Sequence, residues 1–378
     1  MNDLSQQPKT ERLHPGYIAE ALKTLMQTQV PIKEIQIASG EPLSYRSPEG
    51  YRVMMPDRRI GDPDIQALMA FAANGRYDPA QRMDANKQYD EALTCFGFRL
   101  RCNFYWESGR LATSIRVLPS TPWAYESLGG PSQLPTVIDR YTSGLILVTG
   151  PMGSGKSTTL AALLSHINRT RSCHILTLED PIEYVLTSEK SRVSQRQIGI
   201  DVSTFSDGLL GAKRQHADVI LVGELRDVAT VKTALQAAEA GSLVFASTHS
   251  DNVAGTLEAL FSYFRPDELD QVRATLASTL RAVLSQKLLP SADKKRFVLA
   301  YEYLPRSPVL VRSLRENKMQ EIRTVMRDGS GSADGTTSLN ANLRSLVDEG
   351  LITAPEAMNA AYEKGQLADY FGVPAEVY

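Results

Sequence analysis

The chain has 378 residues, 42% hydrophobic and 22% charged, and its 41 Lys and Arg against 43 Asp and Glu leave a formal net charge of -2. That length exceeds the roughly 150 residues of a single domain, so two domains are expected, and the near-neutral balance offers no general attraction for nucleic acid. Cys95, Cys102 and Cys173 are odd in number and form no C-x-x-C pair, which speaks against a disulfide framework or a structural zinc site and fits a reducing cytosol.

The opening MNDLSQQPKTERLHPG is polar and lacks the apolar core of a signal peptide. No later run approaches the roughly 18 apolar residues of a membrane span, so membrane association is expected to be peripheral. Residues 17–26 then place Tyr17, Ile18, Ala21, Leu22, Leu25 and Met26 at helical intervals, and EIQIA at 34–38 alternates like a strand. Residues 62–74 read as a helix. FGFRLRCNFYW (96–106) and LATSIRVL (111–118), separated by Glu107, Ser108, Gly109 and Arg110, read as a hairpin. The first region is therefore α+β. Residues 119–135, PSTPWAYESLGGPSQLP, combine four prolines with a Gly-Gly pair, which discourages continuous secondary structure and marks a domain boundary.

Beyond it, apolar strands alternate with helices: LILVT at 145, HILTL at 174, DVILV at 218 and LVFAST at 243, with helices after 155, 227 and 252. This is the pattern of a largely parallel α/β sheet with crossover helices. A long helical tract from 266 leads to FVLAYEYL (297–304), and the break DGSGSADGTTS separates the last helices from the body.

Gly150, Pro151, Met152, Gly153, Ser154, Gly155, Lys156 and Ser157, followed by Thr158, satisfy G-x-x-x-x-G-K-[ST] between the strand LILVT and the amphipathic TTLAALLSHI. In that setting glycines let backbone N–H groups close around phosphate oxygens. Lys156 reaches the β- and γ-phosphates, the Ser157 hydroxyl ligates Mg²⁺, and the helix N-terminus adds favourable potential. ATP and Mg²⁺ are the expected cofactors. LTLEDPIEY (176–184) ends a strand with Glu179, Asp180 and Glu183, any of which can orient and deprotonate a water at the ligand crevice. DVILVGELRD (218–227) ends a strand at Gly223 and Glu224, where a Walker-B carboxylate holds the Mg²⁺ shell through water. His249 closes the next strand as a candidate γ-phosphate sensor.

These four boxes in this order resemble the type II/IV secretion ATPase superfamily, and within it the type IV pilus retraction ATPases of the PilT family. GPMGSGKST is similar to the family's Walker A box, LTLEDPIEYV to its Asp box, DVILVGELRD to its glutamate-bearing Walker B box and LVFASTHSDN to its His box. The resemblance implies Glu183 as general base, Glu224 as Walker-B acid, His249 as the His-box residue, and Glu179 and Asp180 as supports. FRLRCNFYWESGRLATSIRVLPS resembles the family's arginine-bearing segment, with Arg101 and Arg116 matching its arginine fingers and Arg110 one position out of register. SPVLVRSLRENKMQEI (307–322) resembles the retraction family's AIRNLIRE box, departing at its leading Ala-Ile and second isoleucine. Before Walker B, Leu210 stands where the family has an arginine, whereas Arg214 keeps the other.

The resemblance implies an N-terminal PAS-like α+β domain (1–118), a flexible linker (119–135) and a RecA-like P-loop ATPase domain with a C-terminal helical tail (136–378). It further implies a cytoplasmic homo-hexameric Mg²⁺-ATPase. That motor would dock on an inner-membrane platform protein at the cytoplasmic face and drive pilus retraction without touching nucleic acid. Extension and secretion members of the superfamily usually insert a tetracysteine zinc motif that this chain lacks, which points to a retraction motor. The short ATPases of conjugation-type or effector-secreting systems share the compact build and also lack the motif, so that reading stays open. A RecA-like nucleic-acid translocase is disfavoured by the absence of a basic stripe interleaved with aromatics.

Overall fold

One antiparallel sheet and three helices build the first of two units in the computed structural model, which describes residues 17–27, 32, 34–47, 50–75, 78–119, 121–328 and 335–372. This unit comprises Met1–Thr121 together with Asp180–Val185. In chain order it contains α1 (Tyr17–Gln27), β1 (Glu34–Ala38), β2 (Ser44–Ser47), β3 (Gly50–Val53), α2 (Asp62–Ala73), α3 (Pro79–Asn86), β4 (Gln88–Cys95), β5 (Phe98–Glu107) and β6 (Arg110–Pro119). The strands form one sheet in the order β3-β2-β1-β6-β5-β4, antiparallel at every pairing.

In β5, Leu100, Cys102 and Phe104 are buried, while Arg99, Arg101 and Asn103 lie half-buried on the opposite face, the period of two that pleating imposes. α1 presents Ile18, Leu22 and Leu25 along one stripe, and they join Ile35, Ile37 and Ile115 of the sheet in a single core. The β5–β6 hairpin is tighter than the four-residue break expected. Glu107 pairs with Arg110, and only Ser108 (φ 50°) and Gly109 (φ 77°) make the turn. Two consecutive positive φ values match the twist that adjoining strands need.

The second unit, Pro122–Glu179 with Leu186–Tyr378, begins with a 3₁₀ turn at Tyr125–Leu128. It continues with α4 (Leu134–Arg140), β7 (Gly144–Thr149), α5 (Lys156–Thr170), β8 (His174–Glu179), β9 (Arg192–Gln197), α6 (Phe205–Arg214), β10 (Val219–Val222), α7 (Val228–Glu239), β11 (Leu243–Ser247), α8 (Val253–Ser262) and α9 (Leu269–Thr279). After these come β12 (Leu280–Pro290), β13 (Phe297–Pro305), α10 (Pro308–Arg315), α11 (Met319–Asp328), α12 (Leu339–Asp348), α13 (Ala354–Ala360) and α14 (Lys364–Phe371). The sheet order is β13-β12-β7-β11-β10-β8-β9, parallel except where β13 returns against β12.

The unbroken apolar runs are explained by cover on both faces. Leu145 and Leu147 of β7, Ile220 and Val222 of β10, and Val244 and Ala246 of β11 enter one core. Their neighbours Ile146, Val148, Val219, Leu221, Leu243 and Phe245 enter the other with α4 and α5. The tract after 266 corrects the expectation of one long helix. α9 stops at Thr279, and LRAVLSQKLLP runs beside β7 as β12. Leu280, Ala282, Val283 and Leu284 are buried on both faces, so the segment has no period-two signature, and its pairing with β7 decides its structure.

Within 119–135 the structure is limited to the end of β6, the 3₁₀ turn and the start of α4, and the buried Tyr125 hydroxyl donates to the Pro131 carbonyl at 3.0 Å. α12, α13 and α14 pack a core of their own around Leu343, Leu346, Ile352, Met358 and Leu367, with Ala300 of β13. The polar segment 1–16 lies outside the described residues, as do residues 329–334 of the Gly/Ser-rich break. Among the described residues no helix is long and apolar enough to cross a membrane.

Candidate active site

Gly150 through Gly155 connect the C-terminal end of β7 to the first turn of α5. Gly150 sits at φ 141°, and a Cβ there would lie 2.3 Å from the Gln286 carbonyl oxygen and 2.6 Å from Ser154 Oγ, so a side chain cannot enter without moving β12. Gly155 caps α5 at φ 89° without a side-chain hydrogen bond, so no cap side chain covers the start of the helix. Ser154 Oγ is buried without a hydrogen-bond partner. A helix start with no cap side chain over it, a buried hydroxyl without a partner and a cradle that admits no side chain fit an anionic phosphate chain. Met152 is 82% exposed at the tip, and Ser157 is exposed at the start of α5.

Lys156 is buried at 8% exposure. Its Nζ donates to the carbonyls of Gly150 (2.7 Å) and Pro151 (3.0 Å) and lies 3.4 Å from Nδ1 of His249. An ammonium can only donate, so Nδ1 accepts and the ring proton resides on Nε2. Nε2 in turn donates to Glu224 Oε1 at 2.9 Å, while Glu224 Oε2 receives Arg226 Nη2 at 2.7 Å. Lys156, His249 and Glu224, from three separate boxes, thus form one connected chain. Burial opposes ionisation of Glu224, but the hydrogen bonds from Arg226 and His249 and the Arg226 charge outweigh it and hold the carboxyl below its ordinary value.

β-strand ends position these groups. Gly223 follows β10, and a Cβ there would approach the Leu178 carbonyl oxygen to 3.0 Å, so the chain turns close against β8. Leu225 N donates to the Ser247 carbonyl at 3.0 Å, tying the Glu224 turn to β11. The 248–250 turn is tied to β7 by Thr248 Oγ1 donating to Thr149 Oγ1 (2.8 Å) and Thr149 Oγ1 donating to the Ser250 carbonyl (2.7 Å). At the end of β8, Glu179 Oε1 accepts from Thr177 Oγ1 (2.6 Å) and Gln195 Nε2 (3.0 Å), which suits a supporting carboxylate better than one free to take a proton.

In the first unit, Arg101 Nη1 donates to Glu183 Oε1 at 2.7 Å, and Asp90 Oδ2 lies 3.9 Å from Arg101 Nη2. Arg99 holds the same segment by donating from Nε and Nη2 to the Ile182 carbonyl at 3.2 and 2.8 Å. Arg116 stands directly opposite Arg101 in the β5–β6 register and is exposed. Arg110 is engaged elsewhere, 3.0 Å from Glu41 Oε1. Leu210 is 53% exposed on α6.

Neither Arg226 nor Arg99 belongs to a residue pattern that marks it from sequence. Arg226 stands two positions after Glu224 in GELRD, and Arg99 two positions before Arg101 on the same strand face, so charge at i+2 or i-2 was the available signal.

The profile of the type II/IV secretion system protein family matches residues 126–365. The chain is 42% identical over 346 residues to a twitching motility protein of Neisseria gonorrhoeae, covering 90% of each chain. It is 37% identical over 333 residues to the type IV pilus retraction ATPase PilT of Pseudomonas aeruginosa, covering 86% of this chain and 95% of that protein. A crystal structure of the pilus retraction motor PilT with bound ADP superposes with a TM-score of 0.81 at 36% identity, over 93% of this chain and 98% of the other.

Proposed function

The chain belongs to the type II/IV secretion system protein family, and from that premise we propose that it is a motor ATPase that drives type IV pilus retraction. The observation that carries the catalytic reading is the Lys156–His249–Glu224 chain beside a turn fitted for phosphate. The pilus-related names of relatives matching over 86% to 90% of the chain support retraction over a conjugation-type system.

In this reading the amides around Gly150–Ser157 hold the triphosphate, and Lys156 leaves its carbonyl acceptors to meet the β- and γ-phosphates. The exposed Ser157 hydroxyl and the Glu224 carboxylate, the latter through water, are the groups that would hold Mg²⁺, which when bound would neutralise phosphate charge. Glu183 accepts the proton of the attacking water. His249 donates from Nε2 to Glu224 and keeps that carboxylate aimed. Arg101 and Arg116 contribute positive charge to phosphoryl transfer, so Arg101 must release Glu183 before both can act. Homo-hexamers working on a platform protein at the cytoplasmic face of the inner membrane complete the proposal.

Lys156→Ala in the full chain tests it. The substitution removes the buried ammonium from the phosphate turn, and steady-state ATP turnover should fall at least about 10²-fold. Wild-type turnover in that variant would refute the assignment.

A further inference from the structure

The turn that carries His249 is held from two sides. Thr149 secures Ser250 from within the parallel sheet. One residue later, the Asp251 carbonyl accepts from Ser285 Oγ of β12 at 2.9 Å and from the hydroxyl of Tyr362, which lies between α13 and α14. Immediately after, Asn252 caps α8 through Gly255 N (2.6 Å), and Val253 N donates to the buried Glu302 carboxyl of β13 at 2.9 Å.

Tyr362 is itself fixed from the C-terminal layer. Lys287 Nζ sits 4.0 Å from the centre of its ring and donates to the Ala360 carbonyl at 2.9 Å, and Asn340 Nδ2 donates to the Glu363 carbonyl at 3.0 Å. Ala361, before Tyr362, is buried in the core of α12, α13 and α14, and Glu363, after it, is tied to α12 through Asn340. A backbone carbonyl two residues from the candidate sensor histidine is thereby bonded to a helical layer that lies outside the phosphate-binding turns.

We propose that Tyr362 is a positioning residue for His249, so that the C-terminal helices set the catalytic turn through one phenolic hydroxyl. The proposal rests on the role given to His249 above. With Asp251 anchored by both Ser285 and Tyr362, the backbone from 249 to 252 is bonded on each side. The imidazole is then presented with Nδ1 toward Lys156 and Nε2 toward Glu224. With the Tyr362 hydroxyl gone, Asp251 loses its bond to the C-terminal layer and keeps the one from Ser285, and the ring samples orientations that break one of its two contacts. A force on the C-terminal layer would act on hydrolysis by the same route.

Tyr362→Phe in the full-length protein deletes the hydroxyl and keeps the ring beneath the Lys287 ammonium. For ATP hydrolysis, kcat should fall about five- to tenfold, the range set by one lost hydrogen bond, with KM for ATP changed less than about twofold. The melting temperature should be unchanged, whereas Tyr362→Leu, which also removes packing, should lower it.

Two-bond ¹H–¹⁵N spectra of the five histidines, with His249 assigned through His249→Gln, report the tautomer directly. The wild type should carry its proton on Nε2 and Tyr362→Phe should give a mixture. A wild-type kcat in Tyr362→Phe, or a kcat loss accompanied by a lowered melting temperature and an unchanged His249 tautomer, would overturn the proposal. Lys156→Ala separates the two layers of inference. If it is inactive while Tyr362→Phe and His249→Gln turn over normally, only the positioning role fails. If it turns over normally, the ATPase reading itself fails.

Discussion

Glu302 offers a stability test that depends on burial alone. The residue is 6% exposed on β13, and burial pushes the pKa of its carboxyl from 4.5 to about 7, against the opposing hydrogen bonds from Val253 and Leu339 and the charge of Lys287. The sign follows from which state holds the proton. Below the unfolded value both states are protonated and burial is harmless. As pH rises from there to about 7, the unfolded chain gives up a proton that the folded chain keeps, so stability falls. Above the folded value the loss is constant at about 3 kcal/mol.

Glu302→Gln keeps an oxygen for Val253 N and carries no proton to lose. Between pH 5 and pH 8 the wild type should therefore lose about 2.5 kcal/mol relative to the variant, a relative decline of roughly 5–10 °C in melting temperature for a unit of this size. Differential scanning calorimetry at the two pH values checks this. Parallel pH dependence in the two proteins would mean that Glu302 titrates as an ordinary carboxylate, and the burial argument would be wrong.

Gly150→Ala should abolish ATP binding measured with a fluorescent analogue, because its Cβ would meet the Gln286 carbonyl at 2.3 Å, whereas Gly153→Ala, with no neighbouring atom within 4 Å, should cost only about 1–2 kcal/mol of backbone strain. Equal tolerance at the two positions would contradict the cradle geometry. Replacing Arg101 and Arg116 together by alanine should leave ATP affinity within about threefold and cut turnover about 10²-fold or more, as measured by coupled-enzyme assay. Light scattering should show hexamers, more fully populated with a non-hydrolysable ATP analogue, and a monomer under every nucleotide condition would count against the ring.

The phosphate turn was legible because its determinants are local: glycines at positive φ, a lysine and a serine follow one another between a strand and a helix. Four of the five inner strands, β7, β8, β10 and β11, were legible for the same reason, each being a short apolar run ended by polar residues. What escaped depends on partners far away in the chain. β12 looks helical until β7 lies beside it. Lys156 and His249 are 93 residues apart, and Tyr362 reaches Asp251 across 111. The four boxes located the catalytic candidates, but no spacing within them indicated that Arg226 would take one oxygen of Glu224 and His249 the other.

The central claim, that hydrolysis at this site powers pilus retraction, is tested most directly by counting surface pili on cells whose gene for this chain is changed to encode Glu183→Gln. The isosteric amide keeps the packing, including an oxygen for Arg101, yet cannot take a proton from water. The account predicts that pili accumulate on the surface while twitching motility is lost. Wild-type pilus numbers together with wild-type motility would contradict it.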